Sequence, residues 1–186
     1  GTIEAIKNTS SLGAMPEGLF QRVVADEKVT VKDLVCNPIR ISHDAAEPVA
    51  YRISHGKKKV GIITDLGNFN DYTVESLKGV DALLLEANHD VNMLQVGPYS
   101  YYLKKRISGD RGHLSNELSG QLLCRLLNDK MQTIVLGHLS KENNLPELAY
   151  ETVRVEIAMA DNGYKAADFP IRVAGRSEVS EIIEIA

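Results

Sequence analysis

The amino-acid sequence predicts a layered α/β fold. Three nearly continuous apolar runs, at 60–64, 82–85 and 133–136, have the length of strands. Runs of this kind are typical of strands that are buried on both faces of a sheet. Between residues 60 and 160 they alternate with stretches of helical periodicity. Strands that alternate with helices indicate a sheet packed against helical layers.

The part of the chain before residue 60 is predicted to be rich in strands. Weak alternation predicts a strand over 29–35, and two more strands, over 39–43 and 49–53, flank a polar stretch. Gly56 and the three lysines after it predict a turn before the buried strand 60–64. Residues 2–7 are predicted to be the end of a helix, and 16–20 a single helical turn.

The later part of the chain contains most of the predicted helices. Helical spacing is found over 72–77, 98–107, 115–127 and 146–159. Ser115 is the predicted N-cap of the third of these helices, and Ser140 or Asn144 of the fourth. Two short strands, over 169–173 and 181–185, are predicted to form a terminal hairpin.

Composition excludes several classes of protein. The chain has 186 residues, of which 44% are hydrophobic and 25% charged, which indicates a globular domain rather than a disordered segment. No apolar run approaches the roughly 18 residues of a membrane span, and no secretory-signal pattern is found. Cys36 and Cys124 lack metal-site spacing, which favours free thiols in the cytoplasm. Because the net charge is −4, contact with nucleic acid would need a local basic patch.

Polar side chains follow the predicted strands at their carboxyl ends. Asp65, Glu86 and His138 come after the three buried strands, and His43 ends an earlier one. Ligand sites in α/β sheets form at such ends, where loops gather distant side chains. Imidazole and carboxylate ligands suit Zn²⁺, Mn²⁺ or Fe, and a carboxylate can bridge two ions. The alternative is that Asp65 caps a turn and that the histidines are structural.

A second cluster, at 109–116, leads into the predicted helix 115–127. Two glycines flank a charged segment there, and backbone N–H groups at a helix N-terminus can bind phosphate. His113 can donate a proton to a phosphate oxygen or a leaving group. Arg111 in this segment is a predicted phosphate-binding residue. The alternative is an ordinary capped loop.

Two further features suggest contact with a substrate. Residues 99–106 combine tyrosines with Lys104, Lys105 and Arg106, a mixture that suits a nucleic-acid backbone and stacked bases. Three basic residues on one helix are also common on solvated faces, so this signal is weak alone. His89 lies close to Glu86 in the sequence and is predicted to contact the substrate.

Five strings carry a family resemblance: ISHDAAEP at 41–48, ITDLG at 63–67, LEANHD at 85–90, GDRGHLSN at 109–116 and LGHLSKENN at 136–144. They resemble the metallo-β-lactamase superfamily, and within it the YycJ/WalJ-like branch of metal-dependent 5′→3′ DNA exonucleases. A weaker similarity to RNase Z rests on the order of its histidines and acids. The resemblance implies an αββα sandwich, two divalent ions (Zn or Mn) and the 5′ end of DNA as substrate.

The resemblance also assigns a role to each residue. His43 and His138 match ligands of different metal ions, and Asp65 matches the aspartate that bridges both ions. His113 matches the histidine that contacts the scissile phosphate, and Glu86 matches the acid that orients it. Ser115 and Asn116 would line the phosphate side. The implied mechanism is attack of a metal-activated water on phosphorus, with His113 assisting the leaving oxygen.

The leading HxHxDH motif of the superfamily is absent from this sequence. In family members that motif precedes the region that matches Thr2. Residues 1–186 are therefore expected to be the C-terminal portion of a single domain, without the first strands of the sandwich. Such a chain is expected to hold metal partly or not at all, to be inactive alone, and to expose surfaces that favour homo-oligomers.

Two other functions remain open at this point. One is an RNase Z-like or other phosphodiesterase. The other is a non-catalytic, metal-poor binding module. No membrane contact is expected in either case.

Overall fold

The computed structural model describes residues 1–16 and 18–186. Within them, seven strands form one sheet in chain order. The strands are β1 (Val29–Val31), β2 (Leu34–Arg40), β3 (Val49–His55), β4 (Lys58–Ile63), β5 (Ala82–Glu86), β6 (Thr133–Gly137) and β7 (Ile171–Val173). The helices are α1 (Thr2–Lys7), α2 (Asp71–Leu77), α3 (Val91–Val96), α4 (Tyr101–Ile107), α5 (Asn116–Leu126) and α6 (Pro146–Met159).

The sheet changes from antiparallel to parallel at β4. Strands β1 to β4 pair antiparallel through short connections. Strands β4 to β7 pair parallel, with helices in the connections between them. The predicted α/β class is therefore confirmed, and the three buried runs are the adjacent strands β4, β5 and β6. Their carboxyl ends lie side by side at one edge of the sheet.

Several predicted boundaries need correction. A turn with Lys32 at φ +55° divides the predicted strand 29–35 between β1 and β2. The predicted strand 39–43 is wrong beyond Arg40, because β2 ends there and His43 lies in a loop. Residues 181–185 have no regular structure, and β7 pairs with β6 instead of forming a hairpin. The predicted turn at 16–20 includes residue 17, which is outside the described residues.

The caps of two helices show how local chemistry sets their starts. Ser115 caps α5, as predicted, because its Oγ accepts a hydrogen bond from the Leu118 N–H at 3.3 Å. The prediction of Ser140 or Asn144 as the cap of α6 is wrong. Leu145 is the N-cap, and a proline stands at the first helical position, where its missing N–H costs no hydrogen bond.

Helices cover one face of the sheet. Ile63, Leu85 and Leu136 are fully buried on that face and belong to the same core cluster as α5 and α6 side chains such as Leu122 and Val153. Side chains alternate between the two faces along a strand. The neighbouring residues therefore point to the opposite face.

The opposite face is apolar but only partly buried. It is formed by Tyr51, Ile62, Leu84 and Val135, which are partners in neighbouring strands, and is called the apolar sheet face below. The C-terminal segment, residues 174–183, lies over one part of this face. There, Val135 and residues of the segment line a cavity of about 220 Å³. Among the described helices, none has both the length and the hydropathy needed to cross a bilayer.

Candidate metal centre

Four polar residues meet at the carboxyl ends of the parallel strands. Asp65 lies just after β4, Glu86 ends β5, and His138 follows β6. His43 reaches them from the loop after β2. Asp65 and His138 have left-handed backbones, with φ of 58° and 57°. This conformation is uncommon for residues other than glycine and is often found at functional sites.

Glu86 is fully buried and joins two histidines. Its Oε1 accepts hydrogen bonds from Nδ1 of His113 at 2.7 Å and of His138 at 2.8 Å. Its Oε2 accepts from the backbone N–H groups of Leu66 at 2.9 Å and Leu114 at 3.3 Å. An ionised carboxylate only accepts hydrogen bonds, so both imidazoles donate from Nδ1. In its neutral form, each ring then has its lone pair on Nε2.

The charge of Glu86 is stabilised by these contacts. Burial raises the pKa of the Glu86 carboxyl, but the hydrogen bonds from His113 and His138 outweigh burial and hold this pKa below its ordinary value. The hydrogen bond to Glu86 in turn raises the pKa of His138. Glu86 is therefore ionised at neutral pH, where it orients both rings.

The carboxylate of Asp65 lies among three imidazole rings. Its Oδ1 is 3.8 Å from Nε2 of His43, 3.9 Å from Nδ1 of His113 and 3.8 Å from Nε2 of His138. Nδ1 of His43 donates to the Gly112 carbonyl at 2.9 Å, so its Nε2 carries the lone pair that faces Asp65. The structure thus brings together the three residues predicted to bind metal, with their lone pairs converging.

The donor chemistry fits a divalent cation. His43, Asp65 and His113 form one group of ligand atoms within 4.8 Å of one another, and Glu86, His113 and His138 form a second. Ligand atoms around tetrahedral zinc are about 3.4 Å apart, so the 3.8 Å from Asp65 Oδ1 to Nε2 of His43, and likewise to Nε2 of His138, needs only a small contraction. Glu86 already accepts four hydrogen bonds, which makes it an orienting group rather than a ligand.

Two glycines let the surrounding loops approach closely. A Cβ on Gly112 would overlap the backbone carbonyls of Arg106 and Ile107, and a Cβ on Gly67 would overlap the backbone at Asp110. These are backbone atoms, which cannot move aside as the end of a flexible side chain can. The contacts hold the segment before His113 against the loop after β4.

Two of the predicted phosphate-binding residues make structural contacts in the fold. Asn116 is fully buried, and its side-chain amide exchanges hydrogen bonds of 3.0 and 2.8 Å with that of Asn144. Ser115 is 5% exposed, and its Oγ caps α5. Neither side chain is available to a phosphate, because both hold α5 in place. Arg111 is exposed and donates two hydrogen bonds of 3.2 Å to the His43 carbonyl, at the rim of the centre.

His89 lies apart from the three imidazoles. It is buried, its Nδ1 has no hydrogen-bond partner among the described residues, and burial lowers its pKa to about 4. It lines a cavity with Lys104 and Lys105. Sequence reasoning noticed these residues but missed the cavity, because the six-residue helix α3 that forms one wall is too short for a periodic signal.

Comparisons with known proteins identify relatives along most of the chain. The chain is 35% identical over 184 residues to the exodeoxyribonuclease WalJ of Streptococcus pneumoniae, a match that covers 99% of this chain and 68% of that protein. It is 39% identical over 130 residues to the exodeoxyribonuclease YycJ of Bacillus anthracis, which covers 70% of this chain and 49% of that protein. No family model matches the chain.

Solved structures with the same fold are similar at low sequence identity. The metallo-β-lactamase fold protein YhfI from Bacillus subtilis has a TM-score of 0.59 at 14% identity, over 82% of this chain and 50% of that one. Zinc-bound PqqB from Methylobacterium extorquens has a TM-score of 0.53 at 18% identity, over 83% of this chain and 54% of that one. The chain therefore spans 68% of the length of its WalJ relative and 50% of that of YhfI.

Proposed function

Because the chain belongs to the WalJ/YycJ-like branch of the metallo-β-lactamase superfamily, we propose that its protein is a metal-dependent phosphodiesterase that removes nucleotides from the 5′ end of DNA. The observation that carries the proposal is the position of the Asp65 carboxylate, 3.8 Å from Nε2 of both His43 and His138. Hydrogen bonds to Gly112 and Glu86 fix the two rings in the orientation that presents Nε2.

The proposed hydrolysis follows from which side-chain atoms face the candidate metal centre. His43 and His138 would each hold one of two divalent ions, and Asp65 would serve both; such ions lower the pKa of a bound water and so would supply a nucleophile for phosphorus. Glu86 keeps His113 in the orientation that turns Nε2 away from the carboxylate. When His113 is protonated, Nε2–H can donate to a phosphate oxygen or to the leaving oxygen, and Glu86 stabilises the resulting imidazolium.

The proposal includes the place of this chain within a larger domain. Three ligands are fewer than two ions require, and the HxHxDH motif is not in the sequence. We propose that residues 1–186 are the C-terminal portion of the domain and that a second sheet packs on the apolar sheet face, as in an αββα sandwich. The length of the WalJ relative supports this view. A cytoplasmic location is also proposed, supported by the free thiols Cys36 and Cys124.

Substrate profiling of the complete protein tests this function. The protein encoded by the whole reading frame is assayed with Mn²⁺ or Zn²⁺ on 5′-phosphorylated DNA and on RNA of the same sequence. We expect release of nucleotides from the 5′ end of DNA. Cleavage of RNA in preference to DNA would support the RNase Z-like alternative, and no hydrolysis of either would support a binding module. Residues 1–186 alone are expected to be inactive, and robust turnover by them would contradict the C-terminal assignment.

A further inference from the structure

A cavity of about 570 Å³ lies between α3 and α4. Its volume is within the range of about 300–1,000 Å³ that is usual for small-molecule sites. Val91 and Leu94 provide apolar lining, and Tyr101 and Lys105 line the side formed by α4. The cavity is not part of the metal centre, and the chemistry above gives it no role.

His89 connects this cavity to the metal centre. It lies three residues after Glu86, and its backbone is bridged to that of Ser115, two residues after His113. The ring is 2% exposed, yet its Nδ1 has no hydrogen-bond partner in the described part of the chain. Buried polar atoms are nearly always paired. His89 lines the cavity, so a ligand there would lie against its imidazole ring.

The protonation state of His89 limits what that partner can be. Burial lowers the pKa of its imidazole to about 4, so the ring is neutral at pH 7. A neutral imidazole has one donor and one acceptor. It can therefore pair with the amino or carbonyl groups on the edge of a nucleobase, which present both donors and acceptors.

The α4 side of the cavity is basic and aromatic. Nζ of Lys105 lies 5.9 Å from the centroid of the Tyr101 ring, and Nζ of Lys104 donates to the Gln95 carbonyl at 2.8 Å. None of the described residues that line the cavity is acidic, although the whole chain has a net charge of −4. Tyr101 is 69% exposed, which leaves its ring available for stacking.

We propose that this cavity binds one nucleotide of a single DNA strand, with the base stacked on Tyr101 and hydrogen-bonded to His89, and with its phosphates on Lys104 and Lys105. The inference rests on the proposed nuclease function and adds where the strand lies beside the centre. A base must leave a duplex to enter the cavity, so the site favours single-stranded ends. Stacking and backbone charge together are the usual way to hold single strands without reading their sequence.

Binding without catalysis tests the site separately from the nuclease function. The complete protein, kept in EDTA, is titrated into a 5′-phosphorylated single-stranded oligodeoxynucleotide that carries a 3′ fluorophore, and Kd is obtained from anisotropy. Tyr101→Ala is expected to weaken binding about 5- to 150-fold, the range measured for loss of one base–aromatic stack. Lys105→Gln is expected to weaken binding and to reduce the salt dependence by about one ion.

Two residues of the same types outside the cavity serve as matched controls. Tyr102 is 84% exposed, follows Tyr101 on the same helix and does not line the cavity. Lys130 is exposed and lies just before β6, at the opposite end of that strand from the metal centre. Tyr102→Ala and Lys130→Gln are expected to leave Kd unchanged. His89→Gln is measured together with its melting temperature, so that a loss of folding is recognised.

Three outcomes would overturn the inference. They are no binding of the oligonucleotide by the unmodified protein, an unchanged Kd for Tyr101→Ala and Lys105→Gln, and equal weakening by the two control variants. These binding outcomes are independent of the nuclease assay. Asp65→Asn demonstrates this, because it is expected to stop hydrolysis and to leave DNA binding in EDTA intact. A protein that binds through Tyr101 but hydrolyses nothing would contradict the proposed function and still support the cavity.

Discussion

A single buried carboxylate, that of Glu86, sets how two histidines present their nitrogens. Each of its oxygens accepts two hydrogen bonds, from His113 and His138 on one side and from two backbone N–H groups on the other. All four groups are donors, so only an acceptor with no proton satisfies them. This explains why the residue is acidic although its site is fully buried.

Glu86→Gln is expected to weaken metal binding by about 10- to 100-fold, as loss of a group that orients ligands usually does. The amide must turn its NH₂ toward either the histidines or the backbone N–H groups, and both are donors. Isothermal titration with Mn²⁺ or Zn²⁺ on the complete protein measures the effect. Glu75→Gln is the control, because Glu75 is exposed and pairs with Lys78 at the surface. Equal affinities for both variants would refute the orienting role.

The buried His89 makes stability depend on pH. The unfolded chain takes up a proton at a pKa of about 6.5, whereas the folded ring does so only near pH 4. Protons therefore favour the unfolded state as pH falls from about 6.5 to 4, and the free energy of unfolding drops by about 3 kcal/mol. Denaturant unfolding of the metal-free protein at pH 7 and pH 4 measures this loss.

His89→Phe is expected to lose less stability than the unmodified protein over the same pH interval, since it has no proton to take up. His55→Gln is the control, because His55 is exposed, and it should behave as the unmodified protein does. Equal losses in His89→Phe and the unmodified protein would show that His89 does not cause the dependence.

Sequence reasoning located the candidate ligands but not all of their neighbours. His43, Asp65 and His138 were predictable because each stands at or just beyond a strand end. The contact of Asn116 with Asn144 joins residues 28 positions apart, which no local pattern reveals. The shared acceptor on Glu86 is likewise visible only once β5 and β6 are paired.

At the scale of elements, the amide pair of Asn116 and Asn144 ties the start of α5 to the loop before α6. Replacing Asn144 with alanine leaves the buried Asn116 amide without its side-chain partner, at a cost of about 1–3 kcal/mol. Replacing Asn116 is expected to cost less, because the Asn144 amide keeps its hydrogen bonds to the Ala87 carbonyl and the Leu145 N–H. The double variant is expected to lose less than the sum of the two single losses, because the same contact is removed only once. Chemical denaturation of the four proteins measures this coupling.

The same experiment separates the structural role from the phosphate-binding one. If the pair is structural, Asn116→Ala and Asn144→Ala both lower stability, Asn144→Ala by more, and both leave the KM for DNA unchanged. A phosphate ligand would instead give a raised KM for Asn116→Ala alone, with stability preserved.

Elements with strong periodicity were predictable, and short ones were not. The predicted helix 146–159 matches α6 at both ends, because fourteen residues carry several turns of pattern. The segment 181–185 alternates like a strand, yet Ile182 is 91% exposed and no described strand pairs with it. Tertiary pairing, rather than propensity, decides such short segments.

At the scale of the whole molecule, the apolar sheet face is only partly buried. Residues 1–186 made alone are expected to bind the dye ANS and to self-associate, because a broad apolar surface exposed to water favours contact with another surface. The complete protein should do neither if a second sheet covers this face. Sedimentation velocity and ANS fluorescence on both proteins make the comparison. A monomeric, ANS-negative polypeptide 1–186 would contradict the proposed packing.

The rate at which Asp65→Asn hydrolyses DNA tests the central claim most directly. Asparagine tolerates the left-handed backbone found at Asp65, so the fold should persist while the negative charge among the three imidazoles is removed. The complete protein with Mn²⁺ should release nucleotides from a 5′-phosphorylated single strand, and the variant should be slower by about 10²-fold or more. A variant that works at the rate of the unmodified protein would show that this cluster is not the catalytic metal centre.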